Sequence, residues 1–326
     1  MPGEKAADMA LLEVDDLRVA IGALTVLQHV SFEIGAGETL ALVGESGSGK
    51  SLTALTLMRL LPPAGRIVSG TIRLEGRDLA AMTETQMSGV RGSRMAMVFQ
   101  EPMSSMNPLL TIGAHVMEPL RLHGGLSRRQ ARAQAIALLD RVGIPSAATR
   151  VDDYPHRLSG GMRQRVMIAS ALACKPALLI ADEPTTALDV TIQAQIMELL
   201  ADLQSEFGMG MLFITHDLGV VAEYAHRVAV MYAGRMVESA STLQLFSHAA
   251  HPYTAALLEC VPDGEDREYL AAIQGVVPAL DALPPGCRFE PRCRRAIADC
   301  RRADPPFAAA EPGHLVACIH QEEARA

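Results

Sequence analysis

The sequence predicts an α/β fold built on a mainly parallel core sheet. Three observations carry this reading. Residues 39–43, 178–181 and 211–214 are continuous apolar runs, with Thr39 the one hydroxyl residue among them. Short runs of this kind suit strands buried on both faces, the condition in a parallel sheet covered by helices. Between them lie segments with helical spacing. The clearest is 191–207, where Ile192, Ile196, Leu199, Leu200 and Leu203 form one apolar stripe. Finally, charged and polar residues collect just past the ends of these runs, where ligands bind in open α/β sheets.

The remaining elements follow in order. Residues 11–34, with Leu12, Val14, Leu17 and Val19 apolar, predict short antiparallel strands at a sheet edge. The run at 39–43 leads into a Gly-rich loop and then a helix over 52–61, stopped by Pro62 and Pro63. Residues 95–99 form a further apolar run. Ser127 opens a helix with Gln130 as its capping-box partner, and Gly143 and Pro145 stop it after Arg141 or Val142. The middle section, about 101–170, is expected to be a mostly helical subdomain. After residue 248 the texture changes: Pro262, Pro278, Pro284, Pro285, Pro291, Pro305, Pro306 and Pro312 crowd a small, irregular C-terminal extension. The expected division is a nucleotide-binding domain over 11–248 and the extension over 249–326.

Composition narrows the function. The chain has 326 residues, 49% of them hydrophobic, so it can bury a substantial core. Its net charge of -8 argues against a nucleic-acid binder, which needs a basic face. No stretch reaches the ~18 uninterrupted apolar residues of a membrane span. The most apolar region, 166–181, is broken by Lys175 and Pro176, and the N-terminus has no apolar signal core. The expectation is a cytosolic chain that serves a membrane only through partners. The seventeen Met, with no Trp, read as flexible core filling.

Residues 44–51 fit G-x-x-x-x-G-K-S, the phosphate-binding loop. Glycines let the backbone wrap closely, so that successive N–H groups and the positive end of the next helix face phosphate oxygens. The candidate nucleotide-binding residues are Gly44, Ser46, Gly47, Gly49, Lys50, Ser51 and Leu52. Lys50 would reach the β- and γ-phosphates, and the Ser51 hydroxyl would ligate Mg²⁺. Asp182 would hold Mg²⁺ through its water shell, and Glu183 is placed to orient or deprotonate the attacking water. His216, on the same strand-end rim, would touch the γ-phosphate or that water. Gln100, after the 95–99 run, follows the same logic and adds to the Mg²⁺ set. The loop is not G-x-G-x-x-G, which excludes the dinucleotide fold.

The stretch Leu158-Ser159-Gly160-Gly161-Met162 closely resembles the signature motif of ABC ATPases, and the motifs over residues 11–245 match that family in order. The resemblance implies a head-to-tail dimer in which Ser159, Gly160 and Gly161 contact nucleotide held by the partner. It also makes Gln100 the loop that couples to membrane subunits, Asp189 the inter-subunit Asp loop and His216 the switch histidine. There are two departures. Met162 stands where Gln is commonest, and Ile21 occupies the position of the usual adenine-stacking aromatic.

A second resemblance narrows the family. Residues 99–108, His251-Pro252-Tyr253-Thr254 and Pro284-Pro285-Gly286-Cys287-Arg288-Phe289, then Arg292-Cys293, Cys300 and Cys318, are similar to dipeptide and oligopeptide importers. Met162 and the Pro102-Met103 step resemble the first of their two ATPase subunits. This implies an ATP-hydrolysing subunit bound peripherally at the cytoplasmic face of the inner membrane. Its implied partners are a second, different ATPase subunit, two permease subunits and an extracytoplasmic solute-binding protein. Relatives of this architecture carry nickel, glutathione and other small solutes. A soluble ABC ATPase acting on nucleic acid or ribosomes is the competing class, disfavoured by the acidic charge.

Four of the six cysteines, Cys287, Cys293, Cys300 and Cys318, lie in the last 40 residues with C-x5-C-x6-C-x17-C spacing. Four thiolates suit Zn²⁺ or an iron–sulfur cluster, and the spacing does not choose between them. The resemblance favours a [4Fe–4S] cluster with a structural role. Cys174 and Cys260 read as structural.

Overall fold

A computed structural model describes residues 10–101, 105–186, 188–260 and 272–320. The Pro102-Met103 step and Pro262 lie outside the described residues. The chain forms two compact units. One comprises residues 12–33, 39–80 and 214–326, and the other residues 1–11, 34–38 and 81–213.

In the first unit, β1 (Leu12–Ile21) and β2 (Leu24–Ile34) are long strands, ten and eleven residues. They join β4 (Gly65–Leu74) and β5 (Arg77–Asp78) in a sheet of order β2-β1-β4-β5. The pairing of β1 with β4 is antiparallel, from Leu12 opposite Leu74 to Ile21 opposite Gly65. The expected edge strands are therefore present. They are longer than the sequence suggested, because a register irregularity at Asp15–Arg18 interrupts the alternation without ending the strand.

The all-buried β3 (Thr39–Val43) runs into α1 (Lys50–Leu57). This helix starts two residues earlier than expected, since Lys50 and Ser51 of the loop already form its first turn. β3 pairs in parallel with β9 (Arg227–Tyr232), and β9 turns back through Ala233-Gly234 into β10 (Arg235–Ser241). Both turn residues have positive φ, 45° and 82°, the geometry of a tight two-residue hairpin. Beyond β10 the sheet continues through β12 (His314–Val316) to β11 (Ala308–Glu311). The C-terminal extension thus adds a hairpin to the sheet. Its strands read as loop in the sequence because Ala308–Glu311 is mostly alanine and follows two prolines. The short helices α8 (Leu218–Tyr224), α9 (Thr242–Ser247) and α10 (Pro252–Glu259) complete this unit.

In the second unit, β6 (Met95–Val98) and β7 (Leu178–Asp182) are parallel, with Met95 opposite Leu178, and β8 (Gly210–Ile214) adds to β7. All three strands are buried throughout. The helices are α2 (Glu84–Val90), α3 (Ile112–Leu122), α4 (Arg128–Arg141), α5 (Ala147–Arg150), α6 (Gly160–Leu172) and α7 (Val190–Phe207). α4 begins at the expected capping box: the Gln130 amide donates to Ser127 Oγ, and the Gln130 side chain accepts from the Ser127 amide. α7 is stopped by Gly208 in the left-handed conformation (φ 62°). Among the described residues, no helix is long and apolar enough to cross a membrane.

Candidate functional site

The phosphate loop occupies the turn between β3 and α1. Gly44 has φ 147°, and a Cβ there would lie 2.2 Å from the carbonyl oxygen of Met231. Only glycine lets the loop pass this close to β9. Gly49 caps α1 at φ 106° and offers no side chain to the helix's first N–H groups, which leaves that end for an external acceptor. The Lys50 ammonium is buried and donates to the Gly44 and Glu45 carbonyls at 2.7 and 3.1 Å. Ser48 is buried, and its hydroxyl is without a hydrogen-bond partner. A buried, unmatched hydroxyl inside a glycine loop, an ammonium and an uncapped helix end together fit a polyphosphate. The hairpin tip braces the loop, with the Gly234 amide donating to the Ser48 carbonyl at 2.8 Å. Ile21, at the end of β1, is partly exposed.

The second unit carries the carboxylates. Asp182 is buried at the end of β7. Glu183 follows with φ 45°, a conformation costing a non-glycine residue about 1–2 kcal/mol. Such strain is retained where the side-chain direction matters. Glu183 Oε2 accepts from Gln100 Nε2 and from Thr186 Oγ1, both at 2.8 Å. Gln100 and Glu183, 83 positions apart, are thus brought together. Thr186 had no sequence signal beyond being a hydroxyl three residues on. Within this unit Asp182 and Gln100 offer hard oxygen donors of the kind Mg²⁺ takes.

In the same unit Ser159 caps α6, accepting from the Met162 amide at 3.3 Å, and Asp189 caps α7, accepting from the Ile192 amide at 2.9 Å. A Cβ on Gly161 would lie 2.8 Å from Ile192 Cγ2, so glycine lets the signature turn sit directly on α7. Ser159, Gly160 and Asp189 are exposed. His216 is exposed after β8, beside Asp217, which caps α8. The phosphate loop and His216 belong to one compact unit, and Gln100, Asp182, Glu183, Ser159, Gly160, Gly161 and Asp189 to the other.

The cysteine expectation is corrected. Neither a [4Fe–4S] cluster nor Zn²⁺ finds its ligands at Cys287, Cys293, Cys300 and Cys318: among the described residues, no group of His, Cys, Asp and Glu is arranged to hold a metal ion. Burial pushes the thiols of Cys287 and Cys293 up, and that of Cys318 to about 11. The expectation assumed that this Pro-rich segment lacks a core. It has one: Phe289 is buried, with ring centroids 5.2 Å from Tyr232 and 5.3 Å from Tyr253.

Two residues that the sequence left without a role touch the phosphate loop. The Glu45 amide donates to Tyr253 Oη at 2.8 Å. Arg292 donates to both Glu45 carboxylate oxygens, at 2.6 and 2.9 Å. Tyr253 and Arg292 both sit in stretches that carry the importer resemblance, His251–Thr254 and Arg292-Cys293, but neither was given a role there.

These features define a phosphate-loop nucleotide-binding protein. Residues 27–186 match the family described as ABC transporter, and residues 237–300 match the C-terminal region of oligopeptide/dipeptide transporters. A putative peptide import ATP-binding protein of Brucella melitensis is 52% identical over 330 residues, covering 96% of this chain and 98% of the relative. The oligopeptide transport ATP-binding protein AppD of Bacillus subtilis is 51% identical over 320 residues, covering 96% and 97%. Among solved structures, the dimeric ATP-binding cassette MJ0796, in a post-hydrolysis state bound to ADP and Pi, superposes with a TM-score of 0.63 at 27% identity, over 71% of this chain and 98% of that one. The cbiO1 protein of Clostridium perfringens, part of the ABC transporter complex cbiONQ, gives the same TM-score and identity over 73% and 91%. The chain belongs to the ABC transporter family, as an ATPase of the group that carries the oligopeptide/dipeptide transporter C-terminal region.

Proposed function

We propose that this chain hydrolyses ATP to drive uptake of dipeptides or oligopeptides through an ABC importer. The carrying observation is the joint presence of a loop built for polyphosphate and an oligopeptide/dipeptide transporter C-terminal region. The nucleotide-binding part is assigned to residues 11–248, with its helical subdomain at about 101–170, and the extension to 249–326. The chain works at the cytoplasmic face of the membrane. Its partners are a second ATPase subunit, two permeases and an extracytoplasmic binding protein.

In the working dimer, the amides of Gly44, Ser46, Gly47, Gly49, Ser51 and Leu52 cradle the phosphates, and Lys50 binds their β- and γ-oxygens. Ser51 and Gln100, with Asp182 acting through the water shell, would hold Mg²⁺, and the ion would supply positive charge against the γ-phosphate. Glu183, steadied by Gln100 and Thr186, takes a proton from water as the water oxygen bonds to phosphorus and the bond to the bridging oxygen breaks. His216 holds the γ-phosphate side of this arrangement, and the partner's signature turn closes it. Ile21 covers the adenine face by dispersion.

The test is reconstitution in vesicles with two permeases, a second ATPase subunit and a solute-binding protein of an oligopeptide importer. ATP-dependent peptide accumulation that disappears in Lys50→Ala is the expected result. Peptide-independent ATP turnover with no accumulation would contradict the reading.

A further inference from the structure

Glu45, the second residue of the phosphate loop, places a carboxylate in a loop whose ligand is anionic. Unopposed, that charge would repel phosphate. The structure opposes it from the C-terminal extension. The Arg292 guanidinium forms a two-pronged pair with Glu45, and its side chain is only 3% exposed, against 29% for Glu45. Paired guanidinium and carboxylate groups of this geometry are strong and directional. Arg292 is itself fixed, donating from Nε to the Gln274 carbonyl at 2.9 Å and from Nη2 to the Ile273 carbonyl at 3.3 Å. Its guanidinium carbon lies 5.8 Å from the centroid of the Tyr232 ring, a cation–π distance. Tyr253 already holds the loop backbone at Glu45. The distinct contribution of Arg292 is therefore charge.

We propose that Arg292 is a positioning residue for the nucleotide site: by neutralising Glu45 from the C-terminal extension, it sets the affinity of the phosphate loop for ATP. This rests on the ATPase reading above. It gives the extension a direct role in the nucleotide cycle, because any movement of the 273–292 region that parts Arg292 from Glu45 would weaken ATP binding.

The experiment is equilibrium titration of the full-length chain with a fluorescent ATP analogue and Mg²⁺, in a Glu183→Gln background that prevents turnover. Arg292→Ala is expected to weaken binding about tenfold at ~50 mM salt and clearly less at ~300 mM, where the repulsion is screened. Arg292→Lys, which keeps the charge, should stay within about threefold of the parent. Adding Glu45→Gln to Arg292→Ala should restore affinity, because no unopposed carboxylate is left. If Arg292→Ala fails to fold, Arg292→Gln carries the same expectations. Equal binding by the parent and Arg292→Ala would overturn the proposal and leave the ATPase reading standing. A loss that Glu45→Gln does not rescue, or that salt does not reduce, would also overturn it, since Arg292 would then act only as an anchor. Absence of ATP binding by every form, parent included, would refute the ATPase reading and the proposal with it.

Discussion

Glu238 on β10 is fully buried, and its carboxylate ties the C-terminal extension to the sheet. It accepts three hydrogen bonds: from the Ala250 amide at 2.6 Å, the His251 amide at 3.0 Å and His314 Nε2 at 2.7 Å. Replacing it with alanine strands three donors on residues that are all buried. An unmatched buried donor costs about 1–3 kcal/mol. Three could cost as much as ~9 kcal/mol, but water entering the vacated volume would satisfy some of them, and removing a buried charge returns part of the loss. The low end, about 3 kcal/mol, is the expected net cost. The effect is local, so hydrogen exchange is the direct assay. In Glu238→Ala the Ala250 and His251 amides should lose about two orders of magnitude of protection, at about 1.4 kcal/mol per decade. Amides in β7 should be unaffected. A loss of less than about threefold at both positions would refute this account of how the extension is held.

Burial lowers the pKa of His251 from its ordinary 6.5 to about 4, against a smaller opposing effect of Glu238. Its Nδ1 must stay unprotonated to accept from the Tyr253 amide at 3.0 Å and cap α10. Because the folded pKa is depressed, the unfolded chain takes up the proton first. Stability is complete above about pH 6.5 and falls by about 3 kcal/mol as pH drops toward 4. Exchange of the α10 amides measured across this range should show the fall, and His251→Asn, a cap without a proton to gain, should flatten it. Gly44→Ala should weaken ATP binding by at least about tenfold in a fluorescence titration. Its Cβ would meet the Met231 carbonyl at 2.2 Å, and overpacking of this kind costs about 1–3 kcal/mol.

The sequence was most legible where one local rule acts alone. The apolar run of β3, the G-x-x-x-x-G-K-S loop and the Ser127–Gln130 capping box each specify their own geometry within a few residues. Legibility failed where the outcome depends on residues far apart. Nothing local pairs Arg292 with Glu45, 247 positions away. Nothing local tells Glu238 that its partners will be His314 and the start of α10. The cysteine reading erred for the same reason. Spacing shows that four thiols can converge, but a metal site also depends on where the backbone aims them. The segment obtained its core instead from Phe289 against Tyr232 and Tyr253, contacts across more than thirty residues. Thr186 was missed because a threonine three residues past a carboxylate is common, and only the φ of 45° at Glu183 turns the two side chains together.

The most direct test of ATP hydrolysis at this site is Glu183→Gln, assayed in parallel for ATP turnover and ATP binding in the assembled complex. The substitution keeps the side chain's size and an oxygen for Gln100 and Thr186, and removes only the capacity to take a proton. Loss of steady-state hydrolysis by at least about a hundredfold, the usual scale for a general base, with ATP affinity unchanged, is the predicted result. Turnover at the parent rate would remove Glu183 from the reaction and contradict the account.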